Sequence, residues 1–241
     1  MIKPLLLLLA LLSLPLAGPT RAATVNFVTE EYPPFSYHEG DTLKGTSVEQ
    51  VQLLMQKADI DMRIELLPWT RAYAAAQATP MTCLFTTAHS PERDKLFKWV
   101  EPLLVDDNIL VATASSGIRE TDLDDTRRYV IGTHRGDYTE KLLKEKDFPR
   151  IDVASDFPST LRKLMNGRID LMPISEIYFE KLKLDQPLVR VATLSFQSLG
   201  IACEKSFPED IRTRMQQALD ALITEGTQRA IFAKYGLHAR H

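Results

Sequence analysis

The chain has 241 residues, 44% of them hydrophobic and 25% charged, with a formal net charge of −3. That length and composition support a sizeable core in one large or two small domains. A mildly acidic chain without runs of Lys or Arg lacks the basic footprint of a nucleic-acid binder or of a protein held on an anionic membrane surface.

Residues 1–22 read as a secretory signal peptide. Lys3 is the positive start, Leu5 to Leu16 the apolar core, and Thr20-Arg21-Ala22 the small-residue cleavage site. The apolar run is shorter than the ~20 residues that a bilayer-spanning helix needs. No cysteine lies near the cleavage site. The mature chain is therefore expected in the periplasm, neither lipidated nor embedded in the membrane.

Strand-like and helix-like segments then alternate, the pattern of an α/β protein. Val25 to Thr29 reads as a strand. Val48, Val51, Leu54, Met55 and Ala58 form a helical apolar stripe, and Met62 to Leu67 is a second strand closed by Pro68. Arg71 to Ala78 is helix-like, and Met81 to Thr87 is an apolar strand leading into His89-Ser90-Pro91-Glu92-Arg93. Asn108 to Thr113 and Tyr129 to Thr133 are further strands, the second entering Gly136-Asp137-Tyr138 and a helix from Thr139 to Lys146. Ser159 or Thr160 is placed to cap a helix over Leu161 to Asn166, with Gly167 as its terminator. Ile169 to Ile174, Val189 to Thr193 and Gly200 to Cys203 read as strands. Pro208 opens a helix with Ile211, Met215, Ala218, Leu219 and Leu222 on one face, and a last helix runs from Thr227 to Tyr235.

Cys83 and Cys203 are the only cysteines. In an oxidising compartment the pair points to one disulfide; two buried thiols acting as small hydrophobes are the alternative. The five histidines show no metal-ligand spacing beyond His238 and His241, and no P-loop, Gly-x-Ser-x-Gly elbow or Cys-x-x-Cys is present. No cofactor is implied.

Several short blocks occur in a telling order. They are Glu31-Tyr32-Pro33-Pro34-Phe35-Ser36, Gly45-Thr46-Ser47-Val48, Ser90-Pro91-Glu92-Arg93, Gly132-Thr133-His134-Arg135-Gly136, Asn166-Gly167-Arg168-Ile169-Asp170, Gly200-Ile201-Ala202 and Tyr235-Gly236. In this order across nearly the whole mature chain they resemble the family 3 extracellular solute-binding proteins, also called type II periplasmic binding proteins. The resemblance implies two α/β lobes joined by two crossover strands, with a ligand cleft between them. Lobe 1 would be residues 23–107 plus 195–241, and lobe 2 residues 108–194, with crossings near Val105-Asp106-Asp107 and Leu194-Ser195-Phe196. It also places the strands of Cys83 and Cys203 side by side in one lobe.

Carried over by position, the resemblance makes Arg93 the carboxylate-binding arginine, with Thr86 and Ala88 offering groups to the same ligand. Tyr32 and Trp69 would flank the ligand's side chain. Gly136-Asp137-Tyr138 would aim backbone N–H groups at the carboxylate from a helix start, which attracts anions through its unpaired donors and dipole. His134 falls where a side chain approaches ligand. Three positions depart from the family pattern: Ser175 stands where an acid meets an α-ammonium, Ser47 where aspartate is usual, and Ala88 where threonine is common. The implied function is a monomeric, non-enzymatic receptor that captures a small carboxylate-bearing, amino-acid-like solute for an ABC permease. Two other readings stay open. One is a dehydratase acting on prephenate-like acids, with Glu31, His134 or Glu176 as acid or base. The other is a sensory subunit for a membrane partner.

Overall fold

The computed structural model describes residues 24–237. The signal-peptide reading of residues 1–22 lies outside the described residues, as do His238 and His241. No helix among the described residues is long and apolar enough to cross a membrane.

The first lobe starts with β1 (Val25–Thr29), a hairpin of β2 (Tyr37–Glu39) and β3 (Thr42–Lys44), and α1 (Thr46–Ala58). Gly45 opens α1 at φ 133°, and a Cβ there would lie 2.1 Å from the Phe35 carbonyl oxygen, so only glycine fits. Next come β4 (Met62–Leu66), α2 (Trp69–Ala78), β5 (Thr82–Ala88) and the short α3 (Pro91–Asp94). Helix α2 begins two residues earlier than the sequence implied, because Pro68 serves as its N-cap. Trp69 therefore sits in the first helical turn rather than at a strand end.

Strand β6 (Phe97–Thr113) carries the chain out of this lobe. The second lobe contains β7 (Ile131–His134), α4 (Tyr138–Glu145), β8 (Ile151–Ala154), α5 (Phe157–Met165), β9 (Met172–Ser175) and α6 (Glu176–Leu182). Strand β10 (Leu188–Glu204) returns the chain to the first lobe, where α7 (Glu209–Thr224) and α8 (Thr227–Lys234) complete it. One six-stranded sheet has the order β4-β1-β5-β10-β6-β9, with β1 parallel to β4 and β5 and with β10 antiparallel to β5 and β6. Strands β7 and β8 pair in parallel, and an isolated bridge joins Ile131 to Leu171.

Two local readings of the sequence change. The strand read over Asn108 to Thr113 is part of one 17-residue strand, and the two read over Val189 to Thr193 and Gly200 to Cys203 are one 17-residue strand. Asp106 and Asp107 stay in the ladder because their backbones pair with Gln197 and Phe196, whatever their side chains prefer. Helix α5 starts at Phe157, capped by Asp156, whose Oδ1 accepts from Ser159 N at 2.7 Å. Pro158 fits the first turn, where its missing N–H costs nothing.

Each lobe buries its own apolar cluster. Phe27, Val51, Leu54, Met55, Phe85 and Met215 lie in the first. Leu110, Ile131, Leu143, Phe148, Leu171 and Val191 lie in the second. A third cluster joins Phe35, Leu104, Leu199 and Phe232 to Phe157, Ile174 and Tyr178, so apolar packing continues across the gap. Cys83 and Cys203 are direct partners in the β5–β10 ladder and form a disulfide; both are fully buried.

Candidate functional site

The polar end of β1, the last residues of β5, the start of α2 and the short α3 face the β7–α4 turn and the start of α5. Between them lies an inner cavity of about 60 Å³. A wider groove of about 840 Å³ runs along the mouth between α2 and α3 on one side and α4 on the other. Tyr32, Trp69, Thr86, Ala88, Arg93, His134, Asp137 and Tyr138 all line the inner cavity, and Gly136 lines the outer groove. Ser175 lines neither. Its hydroxyl donates to Asp106 Oδ2 and accepts from Tyr178 N at 3.3 Å, capping α6.

Arg93 is held by Ser90, whose hydroxyl caps α3. The buried guanidinium lies 5.4 Å from the Trp69 ring and 5.3 Å from the Tyr73 ring. It donates to the Ala88 carbonyl at 3.0 Å and reaches the Gly136 carbonyl at 3.5 Å. Gly136 adopts φ 75°, which turns its carbonyl toward the first lobe, where Trp69 Nε1 also donates to it at 2.8 Å. Lys141 of α4 pairs with Glu92 of α3 at the exposed rim. The structure is therefore closed, with contacts from both lobes over the cavity.

Two N–H groups at the start of α4 are occupied by side chains. Gly136 N donates to Glu140 Oε2 at 2.8 Å, and Thr139 N donates to Asp137 Oδ2 at 2.7 Å. The resemblance implied that Gly136-Asp137-Tyr138 aim backbone N–H groups at a ligand's carboxylate; here two of the chain's own carboxylates accept from Gly136 N and Thr139 N. The cause is local, since Asp at an N-cap and Glu at the following N3 position both accept from a helix start.

Thr86 has φ 57°, rare for a β-branched residue, and sits opposite the register shift between Gly200 and Ile201. Its hydroxyl is buried without a partner, as is Asn108 Oδ1. Asn108 is held through its amide nitrogen, 3.4 Å from Gln197 Oε1. His134 Nε2 lies 3.5 Å from Glu30 Oε1 across the lobes and 3.8 Å from Asp137 Oδ1. Burial opposes charge on this imidazole, but Asp137, Glu30 and Asp156 outweigh it and lift its pKa to about 9. Burial raises the Glu30 carboxyl, with His134 opposing the shift.

Glu30, Tyr73, Asn108, Phe157 and Gln197 were not singled out from the sequence. Each lies one or a few positions from a recognised block or in a segment whose register places it inward only in three dimensions. Phe157 packs on Tyr32 at a ring distance of 4.6 Å, so that aromatic is braced by the second lobe. Of the acids considered for catalysis, Glu31 is exposed and Glu176 bonds Arg190 Nε at 3.0 Å away from the cavity.

Two α/β lobes crossed twice by the chain, with a closed polar cavity between them, define a type II periplasmic binding protein. The chain belongs to the bacterial extracellular solute-binding proteins, family 3, whose description matches residues 25–238. It is 22% identical over 211 residues, 84% of this chain, to the probable amino-acid-binding protein YxeM of Bacillus subtilis (strain 168), 79% of which is covered. It is 25% identical over 116 residues to the arginine-binding extracellular protein ArtP of the same organism; that match spans 48% of this chain and 45% of the relative. Among solved structures, a histidine kinase sensor domain with similarity to periplasmic binding proteins superposes with a TM-score of 0.81 at 20% identity, covering 91% of this chain and 99% of that one.

Proposed function

We propose that the mature chain is a periplasmic receptor that encloses a small polar, amino-acid-sized solute and presents it to an ABC permease. In this reading the lobes divide at residues 107/108 and 194/195, the protein acts as a monomer, and it turns nothing over. The observation that carries the reading is the pair of buried polar atoms left without partners around the inner cavity, Thr86 Oγ1 and Asn108 Oδ1. Buried polar groups are nearly always satisfied, so a solute supplying their missing bonds accounts for them. Two crossings between lobes restrict motion to a hinge, so closure is large yet directed. The amino-acid-binding family members named above support the same class of solute.

A thermal-shift screen of amino acids, amines and small carboxylates tests the proposal. A ligand at a hundred times its dissociation constant stabilises by roughly 2.7 kcal/mol, which raises the melting midpoint. A flat response across the screen would remove the receptor assignment.

The likeness to a kinase sensor domain favours a second reading, in which the closed form signals to a membrane partner. Uptake of the identified solute by cells lacking the gene separates the two. Lost uptake supports import, and unchanged uptake supports sensing.

A further inference from the structure

We infer that the solute held in the inner cavity is a cation, a protonated aliphatic amine that needs no carboxylate for binding. The inference rests on the receptor reading above and names the chemical class of that same site.

Three features carry it. First, two of the helix-start donors that would receive an anion are already taken, Gly136 N by Glu140 and Thr139 N by Asp137. A ligand carboxylate placed there would meet two like charges. Second, the lobe facing Arg93 answers it with the Gly136 carbonyl, and the guanidinium is also bonded to the Ala88 carbonyl and flanked by two rings. Arg93 thus acts as a strut between lobes. Third, the cavity wall carries acceptors that lack a donor. Asn108 Oδ1 is an acceptor with no partner on a residue 5% exposed, and Glu30 brings a buried carboxylate to the same wall. A donor-rich group satisfies these atoms, and an alkylammonium is donor only.

The charge count at the inner end agrees. His134 meets Glu30 from the end of β1, Asp137 from the start of α4 and Asp156 from the start of α5, three acids around one imidazole. Met172, Ile174 and Leu199 supply an apolar wall for methylenes. An ammonium seated against Glu30 competes with the imidazolium, so His134 releases its proton as the ligand enters. The free protein holds that proton up to a pKa of about 9. Amine affinity therefore rises with pH below that value, while an alkylammonium near the lysine pKa of about 10.4 stays charged. A carboxylate ligand has the opposite dependence, because it favours the protonated imidazole.

Calorimetry on the mature chain with matched pairs tests this: cadaverine against lysine, putrescine against ornithine, agmatine against arginine, each at pH 7.0 and 8.5. The expected result is that at least one amine binds as tightly as its amino acid or more so, with affinity rising several-fold between the two pH values. Glu30→Gln then weakens the amine by tenfold or more while its melting curve stays cooperative. A preference of more than tenfold for the amino acid, or affinity that falls with pH, overturns the inference and leaves the receptor reading standing. Binding of only a neutral or anionic solute from the wider screen has the same consequence. Silence across the whole screen overturns both. The wild-type pairs decide the matter even where the Glu30 variant fails to fold.

Discussion

Trp69 Nε1 donates to the Gly136 carbonyl at 2.8 Å, which ties the first turn of α2 in one lobe to the turn before α4 in the other. The same carbonyl receives Arg93, so one backbone oxygen gathers two side chains from the opposite lobe. Trp69→Phe keeps the apolar ring and removes the donor. A hydrogen bond of this kind contributes about 0.5–1.5 kcal/mol net, so the closed population and the solute affinity should fall by roughly two- to tenfold. Small-angle scattering should show a larger radius of gyration for the free variant. An unchanged radius and affinity would remove this bond from the closing contacts.

Thr86 holds a left-handed backbone with φ 57° and an unpartnered buried hydroxyl. Strain of this type costs about 1–3 kcal/mol and persists where function demands it. Thr86→Gly should release it, offset by the greater unfolded-state freedom of glycine, for a gain of about 1 kcal/mol. Urea unfolding should show a higher midpoint at an unchanged slope. Solute affinity should drop in the same variant, and a rise in both quantities would contradict the role given to the hydroxyl.

Asp106 is fully buried in β6, accepting from Ser175 Oγ and from Ile177 N at 3.2 Å through Oδ2, while Oδ1 has no partner. Burial outweighs those bonds and raises its pKa from 3.8 to about 6. The folded value lies above the unfolded one, so this contribution to stability is complete below about pH 4 and is lost as pH rises through about 6. Its full size is at most about 3 kcal/mol. Asp106→Asn should flatten the stability profile over that window. Urea midpoints at pH 4.5 and 7.0 read this directly, and an unaltered difference between them would show that another group sets the slope.

The Cys83–Cys203 disulfide joins neighbouring strands across 120 residues of sequence. Replacing both cysteines with alanine should cost about 2–4 kcal/mol of stability. Reductant alone should leave native protein unchanged at first, because both side chains are fully buried. Rapid reduction of the folded chain, followed by thiol labelling, would contradict that protection.

Much of the fold was legible because its elements have strong local signals. The stripe of Val48, Val51, Leu54, Met55 and Ala58 became the buried face of α1, and the stripe from Ile211 to Leu222 became that of α7. The errors fell where pairing overrides local chemistry. The strand was read from Asn108 on, yet ladder bonds to β10 keep Asp106 and Asp107 extended as well. Asp156 rather than Ser159 caps α5, since a cap is fixed by which side chain meets the first free N–H groups. The family blocks pointed to eight residues that do line the inner cavity, but they gave no reason to choose Glu30 over its neighbour Glu31. That choice follows from the alternation of side chains past the end of β1, which buries Glu30 and exposes Glu31.

By itself the amino-acid sequence determined the α/β class, and its ordered blocks carried the resemblance that implied two lobes and eight of the residues found along the inner cavity. Periodicity, turn residues and ordered blocks are local properties that a chain carries unfolded. Only the tertiary structure decided the charge character of the cavity. Whether the α4 donors are free, whether Arg93 points at solute or at a carbonyl, and how many acids surround His134 depend on side chains from both lobes. Coulombic interaction and desolvation act over a few ångströms in space. Residues a hundred positions apart in the chain settle them together.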